Sequence, residues 1–197
     1  LIHLQHKIYK MLHKIRNSGK LTLQVFGLSA ISFLALAVFL AIFGEAGEMF
    51  IIINPVTSGF IHAGFEHLFY NLILIFIFTL PELNSKYDIN KLFWITFILS
   101  CAYLPVSLLE YTRYSVGISG TCFFLMSRFF FSKDGPILLR ILKISVFSLT
   151  ILGEILGMNK PEDGIAHGVH LLGVLLGIIT IYINPKYIPE LIRRFVI

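Results

Sequence analysis

The run Gly117-Ile118-Ser119-Gly120-Thr121-Cys122-Phe123-Phe124-Leu125-Met126-Ser127-Arg128-Phe129-Phe130-Phe131 decides how this chain is read. From Thr121 to Phe131 it is almost wholly apolar, and Arg128 is its one charge. Such a run reads as a short membrane span, taken here as Val116 to Phe131. Ser119 then sits at its mouth, with Gly117 before it and Gly120 after it. Glycines at such a point let another backbone or side chain approach closely. Small-residue runs with a serine are ordinary helix-packing devices in membranes, and a Gly-x-Ser-Gly turn is also where a nucleophile is presented. The turn alone does not choose between these. A hydroxyl at that depth needs a polar partner, and His67, Asn71 and His170 stand at comparable depth in other apolar runs.

Composition supports the membrane reading. Hydrophobic residues make up 56% of the chain and charged residues only 14%, a balance unlike that of a soluble domain. The charges fall in short intervals between long apolar runs, which is the pattern of an all-α polytopic membrane protein. The net charge of +5 is then explained by basic loops on the cytoplasmic side, without a nucleic-acid partner. Cys101 and Cys122 lie inside apolar runs without metal-ligand spacing and read as small packing residues. The first apolar run is too long for a cleavable signal peptide and lacks a small-residue cleavage site.

Residues 1–20 are basic and mildly amphipathic, with Lys7, Lys10, Lys14, Arg16 and Lys20 set among Ile2, Leu4, Ile8, Met11, Leu12 and Ile15. The pattern predicts a helix on the inner membrane surface, held by anionic lipid. A six-span domain over residues 21–183 follows, then a basic tail over 184–197. Leu21 to Phe43 is the first span, free of charge and long enough for a core of about 30 Å. Met49 to Ile53 is too short to cross and is read as interfacial. The remaining spans are Phe65 to Leu80, Leu92 to Leu109 (with Pro105 bending its last turn), Val116 to Phe131, Ile137 to Gly157 and Ile165 to Ile183.

Six spans put both termini on one side. The termini and even-numbered loops collect Lys7, Lys10, Lys14, Arg16, Lys20, Lys86, Lys91, Arg128, Lys133, Arg140, Lys143, Lys186, Arg193 and Arg194. The opposite side keeps only Arg113 and Lys160. The asymmetry predicts cytoplasmic termini. Ser119, His67, Asn71 and His170 then all fall near the outer face.

Helix geometry sharpens the grouping. His67 and Asn71, four apart, share a face one turn from each other. They read either as interhelical hydrogen-bonding groups or as donors aimed at a developing oxyanion. In the last span His170, Gly173 and Gly177 lie along one narrow stripe, which lets a neighbouring helix approach closely beside the histidine. If that neighbour carries Ser119, the imidazole reaches the hydroxyl and serves as its base. His167 is rotated about 60° from His170, away from the glycines, and is the weaker candidate.

On these residues the chain resembles the rhomboid intramembrane serine proteases. The resemblance rests on His62-Ala-Gly-Phe-Glu-His-Leu-Phe-Tyr-Asn71, on Gly117-Ile-Ser-Gly120, and on His170-Leu-Leu-Gly-Val-Leu-Leu-Gly177, in order across the six-span core. It implies Ser119 as nucleophile and His170 as general base, a dyad with no acidic third member. It further implies an oxyanion hole of His67, Asn71 and the Ser119 backbone amide. His62, Gly117, Gly120, Phe123, Gly173 and Gly177 are implied as supporting residues. The implied reaction is peptide hydrolysis in or near transmembrane segments of other proteins, without metal or cofactor, in a lipid bilayer. A prokaryotic cell membrane is the expected location. Two departures stand out. The Trp-Arg pair of the first loop is missing, since Trp94 is the sole tryptophan, and Phe123 stands where many relatives have tyrosine. Two other classes compete: a catalytically silent relative that binds membrane clients, and a haem or metal site drawing on His62, His67, His167 and His170 with Glu66 and Asp163.

Overall fold

A computed structural model describes residues 2–43, 65–79, 88–109, 118–131, 136–158 and 166–182, with side chains described except at 2–4, 33, 36, 39, 40 and 104–109. The described residues are helical: α1 (Ile2–Phe43), α2 (Phe65–Thr79), α3 (Ile89–Leu109), α4 (Ser119–Phe130), α5 (Ile137–Gly157) and α6 (His167–Tyr182). They correspond one to one with the six expected runs. The ends have local causes. Asp88 accepts the backbone N–H of Lys91 on Oδ1 at 2.9 Å and so caps α3. Pro136, extended at φ −63° and ψ 156°, leads into α5, where its missing N–H costs no helical bond. α3 continues through Pro105 to Leu109.

The boundary drawn at Lys20 falls inside α1, which runs unbroken from the basic segment into the first apolar run. Gln5 to His13 are exposed on every face, but packing begins before Lys20. Ser18 is buried and shares a 2.6 Å hydrogen bond with Thr79 of α2, and it donates to the Phe76 carbonyl at 2.8 Å. Leu21 and Val25 follow it into the core. The tail after Ile183, His62, Gly117, Asp163 and the Met49 to Ile53 segment lie outside the described residues.

The core gathers on α4, whose Cys122, Phe124 and Leu125, with the N-cap Ile118, are buried in one cluster with Ile75 of α2, Leu92 and Ile95 of α3 and Val174 of α6. Among the described helices, α4 and α6 pack most intimately. The reason is steric. A Cβ placed on Gly173 would run into the carbonyl of Gly120, and one on Gly177 into Ser127 and the carbonyl of Phe124. Polar groups inside the bundle are mostly matched in pairs, such as Thr96 with Thr121 at 2.7 Å and Arg128 donating to Thr180 at 2.6 Å. Each pair removes a polar penalty that an apolar interior would impose.

The outer surface is the inverse of a soluble protein's. Leu138, Ile141, Leu142, Leu149, Leu152 and Ile155 of α5 all face outward, Leu138 at 75% exposure and Leu149 at 69%. An apolar face of that extent seeks lipid or another protein. Among the described residues, however, no helix is long and apolar enough to cross a membrane. Three are short: α2, α4 and α6 have 15, 12 and 16 residues. At 1.5 Å per residue they rise about 22, 18 and 24 Å against a hydrocarbon core of about 30 Å. α5 carries Arg140, Lys143 and Glu154, and the apolar runs of α1 and α3 take in residues whose side chains are outside the description.

Candidate active site

Ser119 is the first residue of α4, so the helix opens on the hydroxyl. The N-cap residue Ile118 offers no side-chain cap. The first backbone amides of a helix have no acceptor within it, and the positive end of the helix dipole lies there. Ser119 is buried, and its hydroxyl meets Nε2 of His170 at 2.9 Å. This is the contact expected if the Gly173–Gly177 stripe packs on α4. The glycines are its cause: with backbone against backbone, the two helices are close enough for a short serine side chain to reach the ring.

The ring of His170 is constrained on three sides. Phe123, one turn into α4, stacks on it with centroids 4.2 Å apart and planes 8° from parallel, so the stacking expected of Phe123 is present without a hydroxyl. Nε2 faces Ser119. Nδ1 meets Oε2 of Glu154 at 2.7 Å. A carboxylate accepts only, so the ring proton sits on Nδ1 and Nε2 is left to accept from the serine hydroxyl.

Glu154 is the residue that sequence reasoning missed. It projects from the last turn of α5, and its Oε2 also accepts Nδ1–H of His167 at 2.6 Å. His167 is thus not turned away from the site. Its ring is buried, and it packs where Gly157 of α5 leaves room, since a Cβ there would strike the imidazole. The one available signal was a lone carboxylate inside the apolar run Ile144 to Gly157, a costly placement that asks for a partner.

The expected oxyanion donors stand on α2. Asn71 is buried and its Oδ1 lies 3.7 Å from Sγ of Cys122 on α4, one turn past Ser119. Its Nδ2, fully buried, has no hydrogen-bond partner among the described residues. A buried amide donor with no acceptor is costly, and is the kind of group that an anion forming nearby would use. His67, one turn earlier on the same helix, is half-buried.

A metal reading has a physical basis too, on His167 and His170 of the set first considered, joined by Glu154. Glu154, His167 and His170 bring three ligand atoms within 4.8 Å of one another. A divalent ion held there would take Nδ1 of both rings and the carboxylate out of their hydrogen bonds. In the structure the three side chains are joined instead by hydrogen bonds through Oε2 of Glu154.

The sequence model of a family described as Rhomboid domain matches residues 52–187. No curated protein and no solved structure matches the chain.

Proposed function

The chain belongs to the rhomboid family, and from that premise we propose that it is an intramembrane serine endopeptidase that cuts other membrane proteins in or near their transmembrane segments. The family resides in membranes and acts on membrane-protein substrates, but it holds inactive members beside its proteases. Membership therefore does not supply the activity. The observation that carries it is the 2.9 Å contact of Ser119 Oγ with His170 Nε2, on a ring whose other nitrogen is already committed as a donor.

The chemistry follows from those positions. Nε2 takes the serine proton as Oγ attacks a peptide carbonyl, and the new tetrahedral carbon carries an oxyanion. Asn71 Nδ2, His67 and the Ser119 backbone N–H are the donors for that charge. Collapse expels the amine, which His170 protonates, leaving an acyl-serine. Water, activated by the same histidine, then releases the acid. Splitting amide cleavage in two suits a buried site, because water is needed only in the second half.

Placement in the bilayer belongs to the same proposal. In this reading the six apolar runs cross it, α2, α4 and α6 spanning less than its full core, with cytoplasmic termini set by the lysine and arginine asymmetry and the serine opening toward the outer face. The apolar exterior of α5 supports this, since lipid is the solvent it fits.

The test is cleavage of a panel of single-span substrates, in detergent and in liposomes, by the unaltered protein, Ser119→Ala and His170→Ala. Both variants should lose turnover by a factor on the order of 10⁴ or more. A fluorophosphonate or isocoumarin probe should label the unaltered protein at Ser119 and neither variant. An unaltered protein that binds the panel yet neither cleaves nor labels would make it a client-binding relative instead.

A further inference from the structure

Among the described residues, Glu154 is the only carboxylate bonded to either site histidine. Its setting makes it conspicuous. α5 is otherwise an outward-facing helix, burying only Lys143, Phe147 and Gly157. A carboxylate within its apolar half carries a desolvation cost unless its acceptor sites are used. Here a single oxygen, Oε2, accepts from both Nδ1 atoms, at 2.6 and 2.7 Å.

Two roles fit such a carboxylate. It could simply tie α5 to α6, in which case any neutral acceptor of the same reach would serve. Or it could set the state of His170. A neutral imidazole carries its proton on one nitrogen or the other, and only the Nδ1–H form presents a lone pair to the serine. With Phe123 stacked on one face of the ring and Ser119 at Nε2, neither contact distinguishes the tautomers. A phenyl face is indifferent to them, and a hydroxyl donates or accepts. The carboxylate is the group that discriminates, because it accepts and never donates. It also favours the imidazolium that forms when the serine proton arrives, without taking up that proton itself. His167, donating to the same oxygen, holds the carboxylate in place from the other side. The groups in contact with His170 are therefore Ser119 and Phe123 from α4 and Glu154 from α5, with His167 edge-on from its own helix.

We propose that Glu154 is a positioning residue that converts the expected dyad into a Ser119–His170–Glu154 triad, anchored by His167. The proposal rests on the serine-peptidase reading above. It departs from the acid-free site that the family resemblance implies.

The experiment uses the full chain in detergent micelles, with Glu154→Gln, Glu154→Asp and Ser119→Ala measured on one single-span substrate. Glu154→Gln should lower kcat by a factor on the order of 10²–10⁴, as loss of the orienting acid does in other triads. KM should stay within about threefold, since the side chain does not touch substrate. Glu154→Asp, which keeps the charge, should recover at least about tenfold over Glu154→Gln. In protein carrying ¹⁵N-histidine, NMR should find His170 protonated on Nδ1 in the unaltered chain and partly on Nε2 in Glu154→Gln. This readout holds even if a variant is less stable. Glu154→Gln that cleaves at full rate, while Ser119→Ala is inactive, overturns the triad and leaves the serine reading intact. So does a slow Glu154→Gln whose His170 tautomer is unchanged, which would make Glu154 an α5–α6 tie. Cleavage by Ser119→Ala would overturn the serine reading itself.

Discussion

A methyl group added to Gly173 on α6 would meet first the backbone of Gly120 and Phe124, whereas one added to Gly157 on α5 would meet first the imidazole of His167. The difference runs through both regions. α4 buries eight of its 12 residues and α5 three of its 21. Where α4 meets α6, neighbouring backbones set the spacing and nothing is free to give way. Where α5 meets α6, contact passes through side chains, chiefly Glu154 and His167, and a ring can turn aside. The proposed nucleophile and base, Ser119 and His170, thus share the backbone-set contact, and Glu154, the proposed orienting group, arrives on a helix that buries few of its residues. A site built this way has fixed attack geometry and an adjustable orienting group.

The contrast is most open to attack at the glycines. Gly173→Val should separate α4 from α6 and remove cleavage and probe labelling together, a loss on the order of 10³ or more, because misplacement by about 1 Å costs about 10² on its own. Labelling at the normal rate in Gly173→Val would mean that the close approach is not what brings Ser119 to His170. Next in size is Asn71→Ala, which leaves both contacts untouched and removes only an oxyanion donor. Turnover should fall by a factor on the order of 10²–10³, or about 2.7–4 kcal/mol, in protein that still folds. A change within twofold in steady-state kcat would place the oxyanion elsewhere.

On the α5 side the effects should shrink. His167→Ala removes one of two donors to Glu154 and none to the serine, so kcat should drop by roughly 3- to 10-fold, the scale of one hydrogen bond worth about 1 kcal/mol. Inactivation as complete as in His170→Ala would reverse the roles given to the two histidines. Leu149→Ala, on the exposed face of α5, should leave kcat in detergent within about twofold, since exposed substitutions away from such contacts change little. A tenfold loss there would show α5 to be as tightly determined as α4.

How much of this was legible depends on whether a relation is local. His170, Gly173 and Gly177 could be placed on one stripe, and His67 over Asn71, because 3.6 residues per turn fixes angles within a helix. The fit of a serine-headed helix to that stripe was also legible, since glycine marks where backbones approach. The expected helix limits differ from the observed ones by a few residues at most, except at α1, where no capping signal separates the basic segment from the apolar run and the helix continues through it. Glu154 was beyond reach. It lies 16 residues from His170, on another helix, and helical periodicity does not carry from one helix to the next. The angle assigned to His167 was right relative to His170. Its consequence was misread, because the direction away from the glycines turns out to point at α5.

What the sequence by itself determined is the helical class, the six apolar runs and the faces on which serine, histidine, asparagine and glycine stand. Each of these follows from composition or from the geometry of a single helix. Only the tertiary structure decided which faces meet: that Asn71 backs onto Cys122, that Phe123 stacks on His170, and that α5 turns its one carboxylate inward to two histidines. The physical reason is that rotation and register between helices are set by packing and by the need to pair buried polar groups. That balance involves residues distant in the chain, and no one segment records it.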